Sequence, residues 1–411
     1  MPNDISHLDP GAAEGIVEQL RYGVPPPDYV RLFTVGRESQ LHELESSLSA
    51  PTDGQGNALL VKANYGAGKS HLLKIVREMA LDAGYAVSLV VVNAQEGVRF
   101  NRLDTIVGSI CREMEVDHSG KKGIGRLFDA FVQAPGAKLE KEIREVRERI
   151  SSRGNWDHSE YLKSPPIYVA LRAWATSTQS EVHNLIEDWL SNPVNYRGQR
   201  KLLYERLVYN LRGIFRDPRR DWQFYADEVF MFHTSGHRHS WDALADFDLI
   251  AKGSGLRGLV LLFDEFEDVI QNLNRRNLQQ AALVNLFRFF SGDRFPGMSY
   301  FAVTPDFAAK CKKELLSRGV YEFDYRRFDA LPFFELKPVS DKEFLELANK
   351  IRLVHGVAQG WNSANDFTTA ELGRLVKKLW AVNSPERVRR AIQGVVKGLD
   401  EKLDEKMALS T

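Results

Sequence analysis

An α/β fold built on a parallel sheet is the expectation for this 411-residue chain, and three observations lead to it. Near-continuous apolar runs at 58–61, 86–92 and 259–263 are too short for buried helices and read as strands covered on both faces. Helical patterns separate them, as parallel strands require. The first run passes directly into Ala63-Asn64-Tyr65-Gly66-Ala67-Gly68-Lys69-Ser70, and a helical pattern opens at His71. Strand, glycine-bearing loop, Lys-Ser and helix together make the context of a phosphate-binding loop.

Taken in order, a short helical segment at 12–22 leads into Val24-Pro25-Pro26-Pro27. Next come Phe33-Thr34-Val35-Gly36-Arg37-Glu38 and a helical pattern marked by Leu41, Leu44 and Leu48. Behind the loop helix, Gly84 is placed to end it. A helix is expected at 103–114. More than a hundred residues then precede the strand at 259–263, far beyond the roughly 30 that one strand–helix–strand unit needs. Residues 116–245 therefore read as a mostly helical insertion. Within it, 138–150 pairs Glu140 with Arg144, Lys141 with Glu145 and Glu145 with Arg149, the pattern of a solvated helix.

The strand at 259–263 ends in Asp264-Glu265-Phe266-Glu267. A helix at 277–290, a strand at 298–304, a helix at 306–316 and a last strand at 333–336 complete the α/β part. Helical patterns at 341–355, 368–382 and 385–407 follow, the last with Ser384 as N-cap and Pro385 at the first helical position. The expected organisation is thus 1–115 as the N-terminal segment and first part of the α/β domain. The insertion occupies 116–245, the second α/β part 246–338, and a helical lid 339–411.

The chemistry follows from the loop. Small residues let the N–H groups of Asn64, Tyr65, Gly66, Ala67, Gly68, Lys69, Ser70 and His71 curl around a phosphate, with the helix dipole aimed at the same point. Lys69 would reach the β- and γ-phosphates of ATP, and the Ser70 hydroxyl would ligate Mg²⁺. Ala63 stands where glycine is commonest; a chance glycine-rich turn is the plain alternative. On the acidic strand, Asp264 would hold Mg²⁺ through water and Glu265 would polarise the attacking water. Apolar strands also end in acids merely because the chain returns to solvent. Glu267 stands in reserve as the acid, or as the partner of an arginine.

Bulk properties exclude some classes. Lys plus Arg and Asp plus Glu both total 55, so the net charge is zero and no general attraction to nucleic acid or anionic membrane follows. Cys111 and Cys311 are the two cysteines, which suits a reducing compartment. The N-terminus lacks the basic and apolar regions of a leader, and no apolar run reaches membrane-span length. A cytoplasmic location and no membrane contact are the expectation.

Val35-Gly36-Arg37-Glu38, the phosphate loop, Leu261-Leu262-Phe263-Asp264-Glu265 and Ser384-Pro385-Glu386-Arg387 together resemble the AAA+ superfamily of P-loop NTPases, in its origin-recognition-like branch. Leu20-Arg21-Tyr22-Gly23-Val24-Pro25-Pro26, Tyr65-Gly66-Ala67-Gly68-Lys69-Ser70-His71-Leu72-Leu73 and Asp264-Glu265-Phe266-Glu267 resemble, more narrowly, the ATP-binding proteins of BREX-type bacterial anti-phage systems. The resemblance implies that Val35, Gly36 and Arg37 line the adenine and ribose side. It implies that Thr304 is a polar sensor near the γ-phosphate and that Arg387 touches the phosphates from the lid. Arg326 or Arg327, with Arg318 as rival, would reach a neighbouring subunit's γ-phosphate in a homo-oligomer. Each arginine also reads as a surface cation or a structural ion pair. Other subunits of a defence complex acting on DNA are the implied partners.

Weaker signals leave alternatives open. Basic residues of 196–225, Arg216, Arg219 and Arg220 among them, interleave with Tyr204, Tyr209, Phe215 and Trp222, which suits nucleic acid. Leu202, Leu203, Leu207 and Leu211 favour instead a buried helical stripe with its arginines in water. His233, His237 and His239 invite a metal, yet no cysteine or carboxylate completes a set and Ser240 reads as a helix start. Phe287, Phe289 and Phe290 read as core. Besides an ATPase, a nucleotide-gated scaffold without turnover and a DNA loader akin to replication initiators remain as readings.

Overall fold

The structure is a computed structural model. It describes residues 8–24, 26–49, 56–92, 98–134, 162–193, 199–208, 238–266, 275–320, 323–381 and 386–410, with positions 5, 195, 269 and 273. The solvated helix expected at 138–150, the basic positions Arg216, Arg219 and Arg220, Glu267 and Ser384-Pro385 lie outside the described residues.

The apolar runs are strands. They are β1 (Asn57–Lys62), β2 (Ala86–Val91), β3 (Met114–Glu115), β4 (Leu259–Asp264), β5 (Met298–Val303) and β6 (Phe333–Glu335). One sheet orders them β3-β2-β4-β5-β1-β6. β2 lies parallel to β4, with Ala86 opposite Leu259 and Val91 opposite Asp264. β4 lies parallel to β5, with Phe263 opposite Phe301. Every residue of β4 and β5 is buried, which is why neither alternates apolar with polar.

Helices connect the strands. They are α1 (Pro10–Arg21), α2 (Glu38–Ser49), α3 (Lys69–Asp82), α4 (Leu103–Arg112), α5 (Ile124–Gln133), α6 (Pro165–Thr176), α7 (Ser180–Ser191) and the short α8 (Arg200–Leu203). α9 (Arg238–Gly253), α10 (Arg276–Ser291), α11 (Phe307–Ser317), α12 (Asp341–Ala358), α13 (Ser363–Asp366), α14 (Thr369–Trp380) and α15 (Arg387–Ser410) complete the set. No described helix is long and apolar enough to cross a membrane. Two compact units result: residues 1–47, 61–76 and 334–411 form one, and 48–60 and 77–333 the other.

The larger unit is built around aromatic rings. Phe263 stacks on Phe301 with centroids 4.8 Å apart, Phe266 meets Phe301 edge-on at 4.9 Å, and Phe100 meets Phe266 edge-on at 4.7 Å. Phe289 belongs to the same cluster, as its sequence context suggested. Residue 114, expected to end a helix, lies in β3, which pairs antiparallel with β2. Arg77 accounts for this edge strand: it binds both carboxylate oxygens of the fully buried Glu115, its Nε donating at 2.7 Å. The described residues between 116 and 245 are mostly helical and share this core through Phe128, Phe131, Ile186 and Trp189. α4 closes on α7 at Gly108, where a Cβ would lie 2.5 Å from the Ser191 carbonyl. Buried Asp246 of α9 accepts the Lys163 and Ser164 N–H groups at 2.9 and 2.7 Å, serving the start of α6 across the core. α9 begins at Arg238, so Ser240 lies within its first turn rather than before it.

The smaller unit is a helix bundle. Ile16, Val17 and Leu20 of α1 share a core with Phe344 and Ile351 of α12, Leu372 and Trp380 of α14 and Val395 of α15. Capping boxes open two of these helices, Ser340 with Glu343 for α12 and Thr368 with Glu371 for α14. Gly394 and Gly398 let Leu379 and Leu375 lie against α15. Under this packing Trp361 Nε1 donates to His355 Nδ1 at 3.0 Å, and His355 Nε2 lies 3.0 Å from Asp400, which also accepts from Arg21 at 2.6 Å.

Candidate phosphate-binding site

The chain leaves β1 at Lys62 and turns through residues 63–68 into α3. Gly66 has φ 72° and Gly68 φ 98°, left-handed values that a side chain would strain. Nothing crowds a Cβ at Gly68 closer than 4.0 Å, so backbone conformation rather than space calls for glycine there. Ala67 N–H donates to Asn64 O at 3.1 Å and closes the turn. Lys69, 8 % exposed, bends back to the loop: its Nζ donates to Ala63 O at 3.2 Å and approaches Asn64 O at 3.5 Å. Asn64, Tyr65 and Ser70 are exposed, Tyr65 with its ring 5.9 Å from the Lys69 ammonium. The first hydrogen bond within α3 is Leu72 N–H to Gly68 O at 2.9 Å, so the Ser70 and His71 amides precede the helical ladder. A short loop with left-handed glycines, a lysine and two leading amides is suited to a phosphate.

Residues 34–37 lie beside this helix within the same unit. Thr34 Oγ1 donates to Val30 O at 2.9 Å and lies 3.0 Å from His71 Nε2. Burial, with Lys74 and Arg37 adding like charge, pushes the His71 pKa down to about 4. Lys350 of α12 donates to Thr34 O at 3.1 Å. Val35 turns its side chain into the bundle core. Gly36 has φ 60°, and a Cβ there would overlap the Glu343 carboxylate. Arg37 donates to Gln40 Oε1 at 2.7 Å and to Lys337 O, while Gln40 donates to Glu335 O at 3.0 Å. Leu336 N–H bonds Lys62 O of β1, so the carbonyls of residues 335 and 337 face away from β1, and the side chains of Gln40 and Arg37 satisfy them. Thr34, Gln40, Glu343 and Lys350 escaped the sequence reading. The capping-box pattern at 340–343 was the one legible signal for any of them.

In the larger unit, Asp264 is 8 % exposed and its Oδ1 accepts the Glu265 N–H at 2.9 Å. Glu265 is exposed at φ 53°, the one positive φ of a non-glycine residue among the described residues. Phe266 behind it is wholly buried in the aromatic cluster, so the chain is anchored on both sides of the strained residue. Thr304, at the end of β5, is buried; its hydroxyl and Lys310 hold the Asp306 carboxyl below the usual carboxylate range. Arg326 is 89 % exposed and pairs with Asp324 at 3.0 Å. Arg327 lies over the Phe287 ring at 4.1 Å, and Arg318 pairs with Glu314 at 2.7 Å. In the smaller unit, the Arg387 guanidinium lies 4.0 Å from the Trp380 ring, whose other face Phe344 covers at 4.3 Å. Its nearest carboxylate among the described residues, Asp341, is 3.9 Å away. No group of metal-binding side chains occurs among the described residues.

The structure therefore joins Lys69 to its loop, His71 to Thr34, and Arg37 to the strand edge. It engages the candidate arginines with rings or carboxylates. A family model described as BREX system ATP-binding protein BrxC/D matches residues 9–160, a stretch containing α1, the 34–37 segment and the phosphate loop. The resemblance to BREX-type ATP-binding proteins read from the motifs is borne out by that match. No curated protein and no solved structure matches the chain.

Proposed function

We propose that this chain is an ATPase of AAA+ type serving a BREX-like defence complex. One observation carries the reading: Gly66 and Gly68 are left-handed and the Lys69 ammonium is held on loop carbonyls, as in a preformed cradle for a triphosphate. Lys69 exchanges the Ala63 and Asn64 carbonyls for β- and γ-phosphate oxygens, while the Ser70 and His71 amides meet the same phosphates. The Ser70 hydroxyl in one unit, and the Asp264 carboxylate in the other, are each oxygen donors of the type that Mg²⁺ prefers and would serve as its ligands directly or through water. When bound, Mg²⁺ would supply positive charge that offsets that of the phosphates.

Glu265 orients and polarises the attacking water. Its left-handed backbone lies between the Asp264 carboxylate, which accepts its N–H, and the buried Phe266. Thr304 is the polar sensor, and Arg387, flat on Trp380, is the lid cation. The exposed Arg326, with Arg327 beside it, acts on a neighbouring subunit in a homo-oligomer. Arg37 positions the 34–37 segment rather than the phosphates, because its guanidinium is committed to Gln40 and Lys337. Nucleotide exchange and hydrolysis drive assembly of a defence complex that acts on DNA.

Turnover tests the enzyme assignment. Purified chain, alone and with DNA, should release phosphate from ATP, and Glu265→Gln should retain ATP while losing at least about a hundredfold in rate. Equal rates in the two proteins would remove Glu265 from this role. Tight ATP binding without phosphate release under any condition would leave a nucleotide-gated scaffold.

A further inference from the structure

We propose that the outer face of the α14–α15 helix pair binds the sugar–phosphate backbone of duplex DNA, through Arg374 and Lys378 on one helix and Arg390 and Lys397 on the other. The inference does not depend on the nucleotide site, and every residue it uses lies in the smaller unit.

Charge is concentrated here against the average of the chain. Residues 372–397 hold seven basic side chains and one acidic one, although the net charge of the whole is zero. Residues 398–411 hold four acidic and two basic side chains, so the excess is confined to one end of the helix pair. Lys377 and Lys378, in the last turn of α14, complement the negative end of its dipole and so favour the helix. Arg387, Arg389 and Arg390 stand in the opposite relation. They crowd the first turn of α15, where the dipole disfavours cations and no acid accompanies them. Helix formation does not call for them. Arg387 lies on the Trp380 ring and Arg389 donates to Tyr22 O at 3.2 Å, whereas Arg390 is left at the surface.

Packing gathers the cations on one face. Leu379 lies against Gly394 and Leu375 against Gly398, which runs the two helices antiparallel and close together. Leu372 and Val376 with Val395 and Leu399 form the buried side of the pair. At helical spacing, Arg374 and Lys378 border the leucines of the seam on the opposite side, and Arg390 and Lys397 border its glycines. All four are exposed. Among the described residues no carboxylate pairs with Arg374 or Lys378. Arg390 and Lys397 have only long contacts, to Glu386 at 3.6 Å and Glu401 at 3.8 Å, which water weakens. Phosphates compete readily for cations held so loosely. No large apolar side chain is exposed among the described residues of 369–397. A protein partner would find no apolar anchor there, and a single strand no aromatic platform for its bases. Spaced cations without either suit a duplex backbone, which is met by charge alone.

The test is fluorescence anisotropy of a labelled, mixed-sequence DNA duplex titrated with the full chain at rising salt. Wild type should bind, and its affinity should fall about a hundredfold between about 50 and 200 mM salt, the dependence of roughly four phosphate contacts. Arg374→Gln, Lys378→Gln, Arg390→Gln and Lys397→Gln combined should lower the low-salt affinity at least about tenfold and flatten the salt dependence, with the melting temperature unchanged. If that protein melts earlier, Arg374→Gln with Lys378→Gln alone decides, since among the described residues neither side chain has a carboxylate to lose. This pair should still weaken binding at least about threefold. Unchanged affinity and salt dependence in both variants would overturn the inference, as would failure of wild type to bind the duplex. Tighter binding of poly-glutamate, or of a single strand of equal length, would overturn it in favour of an acidic protein or of base stacking.

Discussion

The Glu265 amide donates to the Asp264 carboxylate at 2.9 Å, at the entry to a left-handed residue, φ 53°, that is not glycine. Such a conformation costs on the order of 1 kcal/mol or more, and it persists because Phe266 is locked into the aromatic core. Glu265→Gly should therefore stabilise the protein by about 1 kcal/mol while abolishing turnover. Glu265→Ala, which keeps the strain, should abolish turnover without that gain. Chemical denaturation and phosphate release separate the two; a destabilised Glu265→Gly would mean that the turn is unstrained.

Gly36 and Glu343 form the second dependent pair. At φ 60°, a Cβ on residue 36 overlaps the carboxylate that completes the α12 capping box. Gly36→Ala should cost about 2 kcal/mol, through backbone strain and loss of the cap. In a Glu343→Ala background the same change should cost about 1 kcal/mol less, since the clash is gone. Additive costs would show that the two residues do not interfere.

Much of this arrangement was legible in the sequence, and the exceptions share a cause. β4, the phosphate loop and α10 announce themselves through contiguous apolar runs, glycine spacing and helical period. β3 did not, because two residues carry no period and the strand depends on Arg77, 38 positions before Glu115. The commitment of Arg37 to Lys337 and the contact of Thr34 with His71 join segments distant in the chain, and no local pattern encodes them. The left-handed turn at Glu265 arises likewise from the burial of Phe266 rather than from any turn-forming residue.

Asp246 gives a pH dependence. Burial raises its pKa from the ordinary 3.8 to about 8, against the two amides that donate to it. The folded state therefore retains a proton that the unfolded chain releases near pH 4. This contribution is fully present below about pH 4 and is lost as pH rises through that value toward 8. Asp246→Asn should flatten this part of the stability profile, seen as a smaller fall in melting temperature between pH 5 and pH 8 than in wild type. An identical fall in both would show that Asp246 is ionised throughout.

His355 runs the other way. Trp361 Nε1 has only a hydrogen to offer, so its bond to His355 Nδ1 requires a neutral ring. Burial also holds the His355 pKa below the ordinary histidine value, opposed by Asp400. Its stabilisation is present above about pH 6.5 and is lost as pH falls below that value through the depressed folded pKa. Trp361→Phe removes the donor and should raise the His355 pKa in an NMR titration. An unchanged titration would mean that the indole bond does not govern the ring.

Equilibrium binding of ATP with Mg²⁺ to wild type and to Lys69→Ala, by calorimetry on the full chain, tests the central claim most directly. Saturable binding of one ATP per chain, weakened at least tenfold when the Lys69 ammonium is removed, is the predicted result. Binding of equal strength in both proteins, or none in wild type, would contradict it.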